Sequence, residues 1–241
     1  VHLVSAWCSD VSMCLGQIKT AEKSNEIRAI PQLLDLLEVQ GSVISIDAMG
    51  CQKEIAAKIK EKQADYILAL KDNQKSLHAS VQASFEQLEV DSQDVWVDKG
   101  HGRLEIRSCK VIHNLDLTAM AGNWKGLQSL VQIECSRELL ADGKVEQNTR
   151  YYVASLKTDA KHFNRLVRGH WGIENQLHWS LDVIFKEDLS RKRQGQAAEN
   201  FALFRKMALN LLNQEGTKIS KNRKRLKAAR SDKFREKVLQ I

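Results

Sequence analysis

The sequence predicts an α/β protein with a mixed sheet and flanking helices, and three observations carry that prediction. Val43-Ile-Ser-Ile46 and Tyr66-Ile-Leu-Ala-Leu70 are apolar runs separated by a helix-compatible segment from Gln52 to Gln63. Strand, helix, strand at that spacing is a βαβ unit, with parallel strands and a right-handed crossover. Trp96 to Leu156 is dominated by strand-like segments, and Arg165 to Asp188 places apolar residues at helical spacing.

In chain order, Val1–Trp7 and Met13–Lys19 read as strands of a hairpin, with Asp10 as a turn residue. From Ser24 the apolar positions Ile27, Ile30, Leu33, Leu34 and Leu37 follow the helical period, with Ser24 or Asn25 as the cap. Pro31 is disfavoured inside a helix, so the regular helix is expected to begin near it, and Gly41 closes the segment. The strand from Ser42 to Ala48 ends in Asp47. A further helix is expected over residues 76–90, then strands at Trp96-Val97, Leu104–Ile112, Gly126–Cys135 and Arg150–Ala154, with Asp142-Gly143 as a hairpin turn. These strands read as a β-rich insertion. His101, Arg103 and Arg107 are its candidates for nucleic-acid contact, the two arginines sharing one strand face.

At about 100° per residue, Ile173, Leu177, Leu181 and Ile184 form one apolar stripe, and Trp171, His178 and Asp182 line the adjacent face. Glu174 falls on the border, where a carboxylate is held by packing on one side and open on the other. Ala197–Leu212 is a last amphipathic helix, with Phe201, Phe204, Leu209 and Leu212 expected to pack on the core.

A chain of 241 residues that is 43% hydrophobic can bury a core as one large domain or one domain carrying an insertion. The boundaries expected are 1–95 and 157–213 for the core, 96–156 for the insertion and 214–241 for a basic tail. The net charge is +7, yet Thr217 to Lys237 alone carries +8, leaving the rest at −1. That end reads either as solvated or as a sequence-independent phosphate clamp carrying Arg223, Lys224 and Arg225. The anionic partner it favours is nucleic acid before membrane, because no lipidation signal or amphipathic anchor is evident. Five scattered cysteines without a Cys-x-x-Cys pair indicate neither a disulfide framework nor a zinc site, so a reducing cytoplasm is the expected compartment. No apolar run spans a bilayer.

Two readings stand at each chemically interesting residue. Asp47 either caps the next helix or lies at the carboxyl end of a parallel strand, where α/β sheets place ligands. Lys71, Asn73 and Gln74 are either a polar loop or a reach toward nucleic acid. Glu174, His178 and Asp182 share a metal ion only if ligands come from elsewhere.

Several words occur in one order along the chain: Lys23-Ser-Asn-Glu-Ile27 with Ile30-Pro-Gln-Leu-Leu34, Ser45-Ile-Asp-Ala-Met-Gly-Cys-Gln52, Leu70-Lys-Asp-Asn-Gln74, Gly100-His-Gly-Arg103, and Arg168-Gly-His-Trp-Gly-Ile-Glu-Asn-Gln-Leu-His-Trp-Ser-Leu-Asp-Val183 with Phe185-Lys-Glu-Asp188. Together they resemble the H-repeat-associated bacterial insertion-sequence transposases, a DDE-type family. The resemblance implies an RNase H-like fold in which Asp47 and Glu174 are two of three carboxylates holding Mg²⁺ or Mn²⁺, with transposon-end DNA as substrate and a homo-oligomer on that DNA. It further implies that Lys71, Asn73 and Gln74 reach DNA, that Arg168 and His170 neutralise phosphate, that Trp171 stacks on an unpaired base, and that His178 contacts DNA or positions Glu174. In the family the first aspartate lies on a first central strand ahead of the hairpin, whereas this sequence opens at Val1. The expectation is therefore an N-terminally truncated, inactive copy lacking that strand, or a non-catalytic DNA-binding remnant. The sequence departs from the Tyr-x-x-Arg-x-x-x-Glu-x-x-x-x-x-x-Lys pattern of a related group, holding Val167, His170, Glu174 and Leu181 at those positions.

Overall fold

A computed structural model describes residues 2–20, 26–100, 102–113, 124–141, 143–192 and 194–240. Residues 38–170 form one unit, and residues 1–37 with 171–241 form another.

The βαβ pattern of the first unit is realised by β3 (Val43–Ile46), α2 (Lys53–Glu61) and β4 (Asp65–Leu70), with β3 and β4 parallel in the register Val43↔Asp65 to Ile46↔Leu68. After α3 (Lys75–Gln87) come β5 (Ser92–Gly100), β6 (Arg103–Ile112), β7 (Ser129–Leu139) and β8 (Val145–Ala154), an antiparallel meander. The β-rich stretch extends the βαβ sheet itself: β8 pairs antiparallel with β4, Leu68 opposite Val153, giving one six-stranded mixed sheet of order β3-β4-β8-β7-β6-β5.

Alternation along the strands explains why a helix covers this sheet. Cys109 and Val111, Val131 and Ile133, Tyr152 and Ala154, with Ile67, present one apolar face to Ala160, Phe163 and Val167 of α4 (Ala160–His170). Those three helical residues follow the i, i+3, i+7 spacing of a single stripe. On β4 the alternate residues Tyr66, Leu68 and Leu70 are buried, as are Ile55, Ala56 and Ile59 of the neighbouring α2. Arg107 lies on the helix-covered face of β6 and is only 8% exposed, so the expectation of a surface arginine there is wrong. The apolar Cys109 and Val111 at the same parity were the signal for it.

In the other unit β1 (His2–Cys8) and β2 (Met13–Thr20) form the expected hairpin, with a bulge between Ala6 and Trp7. The helix α1 spans Glu26–Asp35 and contains Pro31, so it begins five residues before the proline. One missing backbone donor is tolerated because Ala29, Leu33 and Leu34 are buried along the helix. The caps Ser24 and Asn25, the turn residue Asp142 and the contact candidate His101 lie outside the described residues.

The stretch from Arg165 to Asp188 is not one regular helix. After α4 it winds as two π-helical turns, Ile173–His178 and Ser180–Ile184, in which the Trp179 amide donates to Glu174 O and the Phe185 amide to Ser180 O at 3.2 Å. Leu177, Leu181 and partly buried Ile173 still pack together, with Cys14 and Leu209.

The helix α5 (Ala197–Gln214) holds the hairpin by its backbone. Asn210 accepts from the Cys14 amide and donates to the Cys14 carbonyl, both at 2.8 Å, while Asn213 and Gln214 donate to Ser12 O and Val11 O. Lys206, 4% exposed, donates to Ser5 Oγ at 2.8 Å and Gln17 Oε1 at 2.7 Å. The buried stripe therefore runs through Ala202, Lys206 and Leu209, and the expected packing of Phe201 and Phe204 fails: they are exposed. Apolar periodicity cannot reveal a stripe that uses a lysine. The basic end folds as α6 (Lys221–Arg230) and α7 (Asp232–Leu239), held by Leu212, Phe234 and Val238.

Candidate functional site

Both loops at the carboxyl ends of the parallel strands meet around Asp47. The residue is extended (φ −68°, ψ 178°), and its Oδ1 accepts from the amides of Met49 and Gly50 at 3.2 and 3.4 Å, capping the 3₁₀ turn Ala48–Gly50. The capping reading of the sequence is thus realised with one oxygen. Among the described residues Oδ2 has no hydrogen-bond partner, and the residue is exposed.

The loop after β4 braces that turn. Asn73 Nδ2 donates to Ala48 O, and Gln74 Nε2 donates to Cys51 O at 3.0 Å and Gln52 Oε1 at 3.5 Å. Asn73, expected to reach nucleic acid, spends a donor inside the protein, while Lys71 beside it is exposed. On the same unit His170 Nδ1 lies 3.0 Å from Ser45 Oγ.

Arg168 is embedded in a cluster that sequence reading did not find. The Glu105 side chain, 7% exposed, pairs with Arg107 at 2.7 Å, Arg168 at 3.4 Å and Arg137 at 3.6 Å. Arg168 also pairs with Asp98 at 3.7 Å and lies 4.5 Å from the Trp96 ring centroid. Its cation is balanced by two carboxylates and an aromatic face. Arg103 opens β6, opposite Leu139 of β7 and half-buried.

On the other unit Glu174 sits in the first π turn, 57% exposed, with His178 Nδ1 3.3 Å from its Oε2. The two residues are four apart in the turn, a spacing at which side chains meet. Trp171 and Trp179 are exposed. Desolvation, then the nearby Asp188, raises the Asp182 carboxyl above its ordinary range against the pull of His178. Among the described residues no three His, Cys, Asp or Glu side chains converge as metal ligands, so Glu174, His178 and Asp182 are not a self-contained metal centre. In the basic end Arg223 is exposed. Lys224 is buried: its ammonium donates to Leu212 O and Glu215 O and lies 3.3 Å from the Glu215 carboxylate. Arg225 lies 5.9 Å from the Phe185 ring centroid.

What the donors fit follows from their chemistry. Asp47 and Glu174 are exposed carboxylates, each with oxygen lone pairs left over from its protein contacts, and hard oxygen donors suit Mg²⁺ or Mn²⁺. Thiol ligation is disfavoured at Cys51 and Cys109, both 0% exposed, where burial pushes the thiols up to about 12. Among the described residues no helix is long and apolar enough to cross a membrane.

The six-stranded mixed sheet and its covering helices make this an α/β protein, with a fold consistent with the RNase H-like class. The overall fold is similar to that of the piggyBac transposase in a synaptic complex with hairpin DNA, with a TM-score of 0.51 at 10% identity over 99% of this chain and 48% of that one. Residues 1–211 match the family described as Transposase DDE domain, and the chain belongs to that family. It is 42% identical to the putative transposase YncI of Escherichia coli O157:H7 and 40% identical to the H repeat-associated putative transposase YhhI of E. coli K12, each over 99% of this chain. The chain spans 63% and 65% of the lengths of those relatives.

Proposed function

We propose that this chain takes part in metal-dependent cleavage and strand transfer of DNA during transposition, with Asp47 and Glu174 as carboxylate ligands of Mg²⁺ or Mn²⁺. The observation that carries this reading is Asp47 itself: in a chain of the DDE transposase family, an exposed carboxylate at the end of a parallel strand keeps one oxygen out of the turn it caps. Divalent ions, when bound, stabilise the attacking and departing oxygens of an in-line phosphoryl displacement. The protein's own contribution is positioning. The turn 48–50 fixes the Asp47 torsion, Asn73 and Gln74 hold that turn, and His178 orients Glu174.

Phosphate contacts on this reading come from Lys71, Arg103 and Arg223, whose side chains are not taken up by carboxylates among the described residues. On this reading Arg168 and His170 neutralise phosphate and Trp171 stacks on an unpaired base. Asn73, Lys224 and Arg225 serve through the elements they hold. The substrate is the DNA end of an insertion element, and joining two ends requires a homo-oligomer.

The experiment is a nicking and strand-transfer assay on duplexes carrying the element's own ends, with Mg²⁺, Mn²⁺ or EDTA. Product that requires the metal and disappears in both Asp47→Asn and Glu174→Gln supports the reading. DNA binding without any metal-dependent product, unchanged in the two variants, overturns it in favour of a non-catalytic DNA-binding protein.

A further inference from the structure

The basic end contains a second feature that the metal chemistry does not use. Between α6 and α7 lies an open basin of about 430 Å³ lined by Thr217, Lys227, Ser231, Lys233, Phe234 and Lys237. Helical spacing builds it. Lys227 is four residues from Arg223 on α6, and Lys237 is four residues from Lys233 on α7, so each pair shares a face.

Two of the three ammonium groups are fixed in place. Lys237 pairs with Glu215 Oε1 at 2.7 Å and donates to Thr217 Oγ1 at 3.1 Å, yet its side chain remains 57% exposed. Lys227 Nζ sits 4.6 Å from the centroid of the Phe234 ring at the basin wall. Lys233 is exposed, with no carboxylate partner among the described residues. Ser231 Oγ accepts from the Phe234 amide at 3.3 Å, which leaves its hydroxyl hydrogen to donate.

The neighbouring carboxylates neutralise only part of this charge: Lys237 has Glu215, while Lys227 and Lys233 have no carboxylate partner among the described residues. The Glu215 side chain is 1% exposed and shared between Lys224 and Lys237, Asp232 is engaged by Arg235, and neither Glu215 nor Glu236 is part of the lining. The two ammonium groups without a carboxylate, Lys227 and Lys233, repel each other at one concavity, and an anion with several oxygens relieves that repulsion while accepting from them, from the Ser231 hydroxyl and from exposed Lys237. Arg223 and Arg230 continue the exposed charge along α6 beyond the basin, which fits a polyanion with regularly spaced phosphates. A lipid surface needs an apolar belt beside the cations, and on α6 and α7 the exposed large hydrophobic residues are only Leu226 and Leu239.

We infer that this basin is a binding site for the phosphodiester backbone of a nucleic acid, read without regard to base sequence and contacted by Lys227, Lys233 and Lys237. The inference deepens the reading above and rests on it for the identity of the polyanion.

The test measures binding of the full chain to a labelled 20-base-pair duplex of arbitrary sequence, in EDTA, between 50 and 200 mM salt. For Lys227→Ala/Lys233→Ala we expect about tenfold weaker binding, and a slope of log affinity against log salt lower by about 2. Lys227→Arg/Lys233→Arg keeps both quantities near the parent values. The pair Lys53→Ala/Lys62→Ala removes the same charge elsewhere, and an equal loss in it overturns the proposal by making net charge the whole effect. A parent slope retained by the basin variant overturns the basin while leaving the transposase reading intact. Binding to vesicles of 30% phosphatidylserine that requires these lysines, with no duplex binding by the parent chain, overturns both.

Discussion

Asn73 donates its side-chain amide to the backbone carbonyl of Ala48, tying the loop after β4 to the turn that Asp47 caps. Twenty-five residues separate the partners in sequence, and the parallel pairing of β3 with β4 brings them together. Loss of one such hydrogen bond costs about 1 kcal/mol. We expect Asn73→Ala to speed amide exchange at Met49 and Gly50 about fivefold, the equivalent of that cost. Mn²⁺ affinity should fall by less than in Asp47→Asn. Exchange at those two amides no faster than in the parent would show that the contact does not hold the turn.

The Glu105 cluster makes a different prediction, because its carboxylate is inside. Three guanidinium groups share it, and Arg107 Nη1 is buried without a hydrogen-bond partner among the described residues. Removing the one buried anion leaves charge uncompensated, which costs about 3–5 kcal/mol. Glu105→Ala should lower the urea midpoint by that equivalent, and Glu105→Ala/Arg107→Ala should recover part of it. A double variant no more stable than the single one would mean that Arg107 is indifferent to Glu105.

These two sites also separate what the sequence could tell from what it could not. The order of strands and helices, the parallel pair and the position of Asp47 at a strand end follow from periodicity, which is local. The DDE family was legible in words such as Ser45-Ile-Asp-Ala-Met-Gly and Gly169-His-Trp-Gly-Ile-Glu174. The Glu105 cluster was not, because it assembles side chains from β5, β6, β7 and α4, and pairing between distant strands leaves no local signature. Nor were the π turns around Glu174: the i+4 spacing of Ile173, Leu177 and Leu181 serves a wide turn as well as an α-turn.

Lys206 tests a stripe that hydrophobicity hides. Burial pushes its ammonium below the ordinary lysine range, with Cys14 and Glu187 opposing, and it bonds to one residue of each hairpin strand. Lys206→Met preserves much of the volume and removes two charge-assisted hydrogen bonds. Each is worth about 1.5–3 kcal/mol, and the relieved desolvation offsets part of the loss. A net destabilisation of about 2 kcal/mol in chemical unfolding is expected. A Lys206→Met protein as stable as the parent would show that burial of the charge cancels its bonds entirely.

Glu215 sets the acid limit of the basic helices. The carboxylate accepts from Lys237 first and then from the Thr217 hydroxyl and amide, with Lys224 beside it, and these contacts lower its pKa from 4.5 to about 2. A carboxyl whose folded value is depressed contributes stability that is fully present above its unfolded value and lost as pH falls through its folded value. The attachment of α6 and α7 to the end of α5 should therefore hold at pH 5 and weaken between pH 4.5 and 2. Replacing the acid by an amide removes that titration, so Glu215→Gln should be less stable than the parent at pH 7 and approach it near pH 2. Two-dimensional NMR of the Phe234 and Val238 amides, which report the packing against Leu212, follows this directly. Amide shifts that move between pH 4.5 and 2 equally in parent and Glu215→Gln would assign the transition to another carboxyl group.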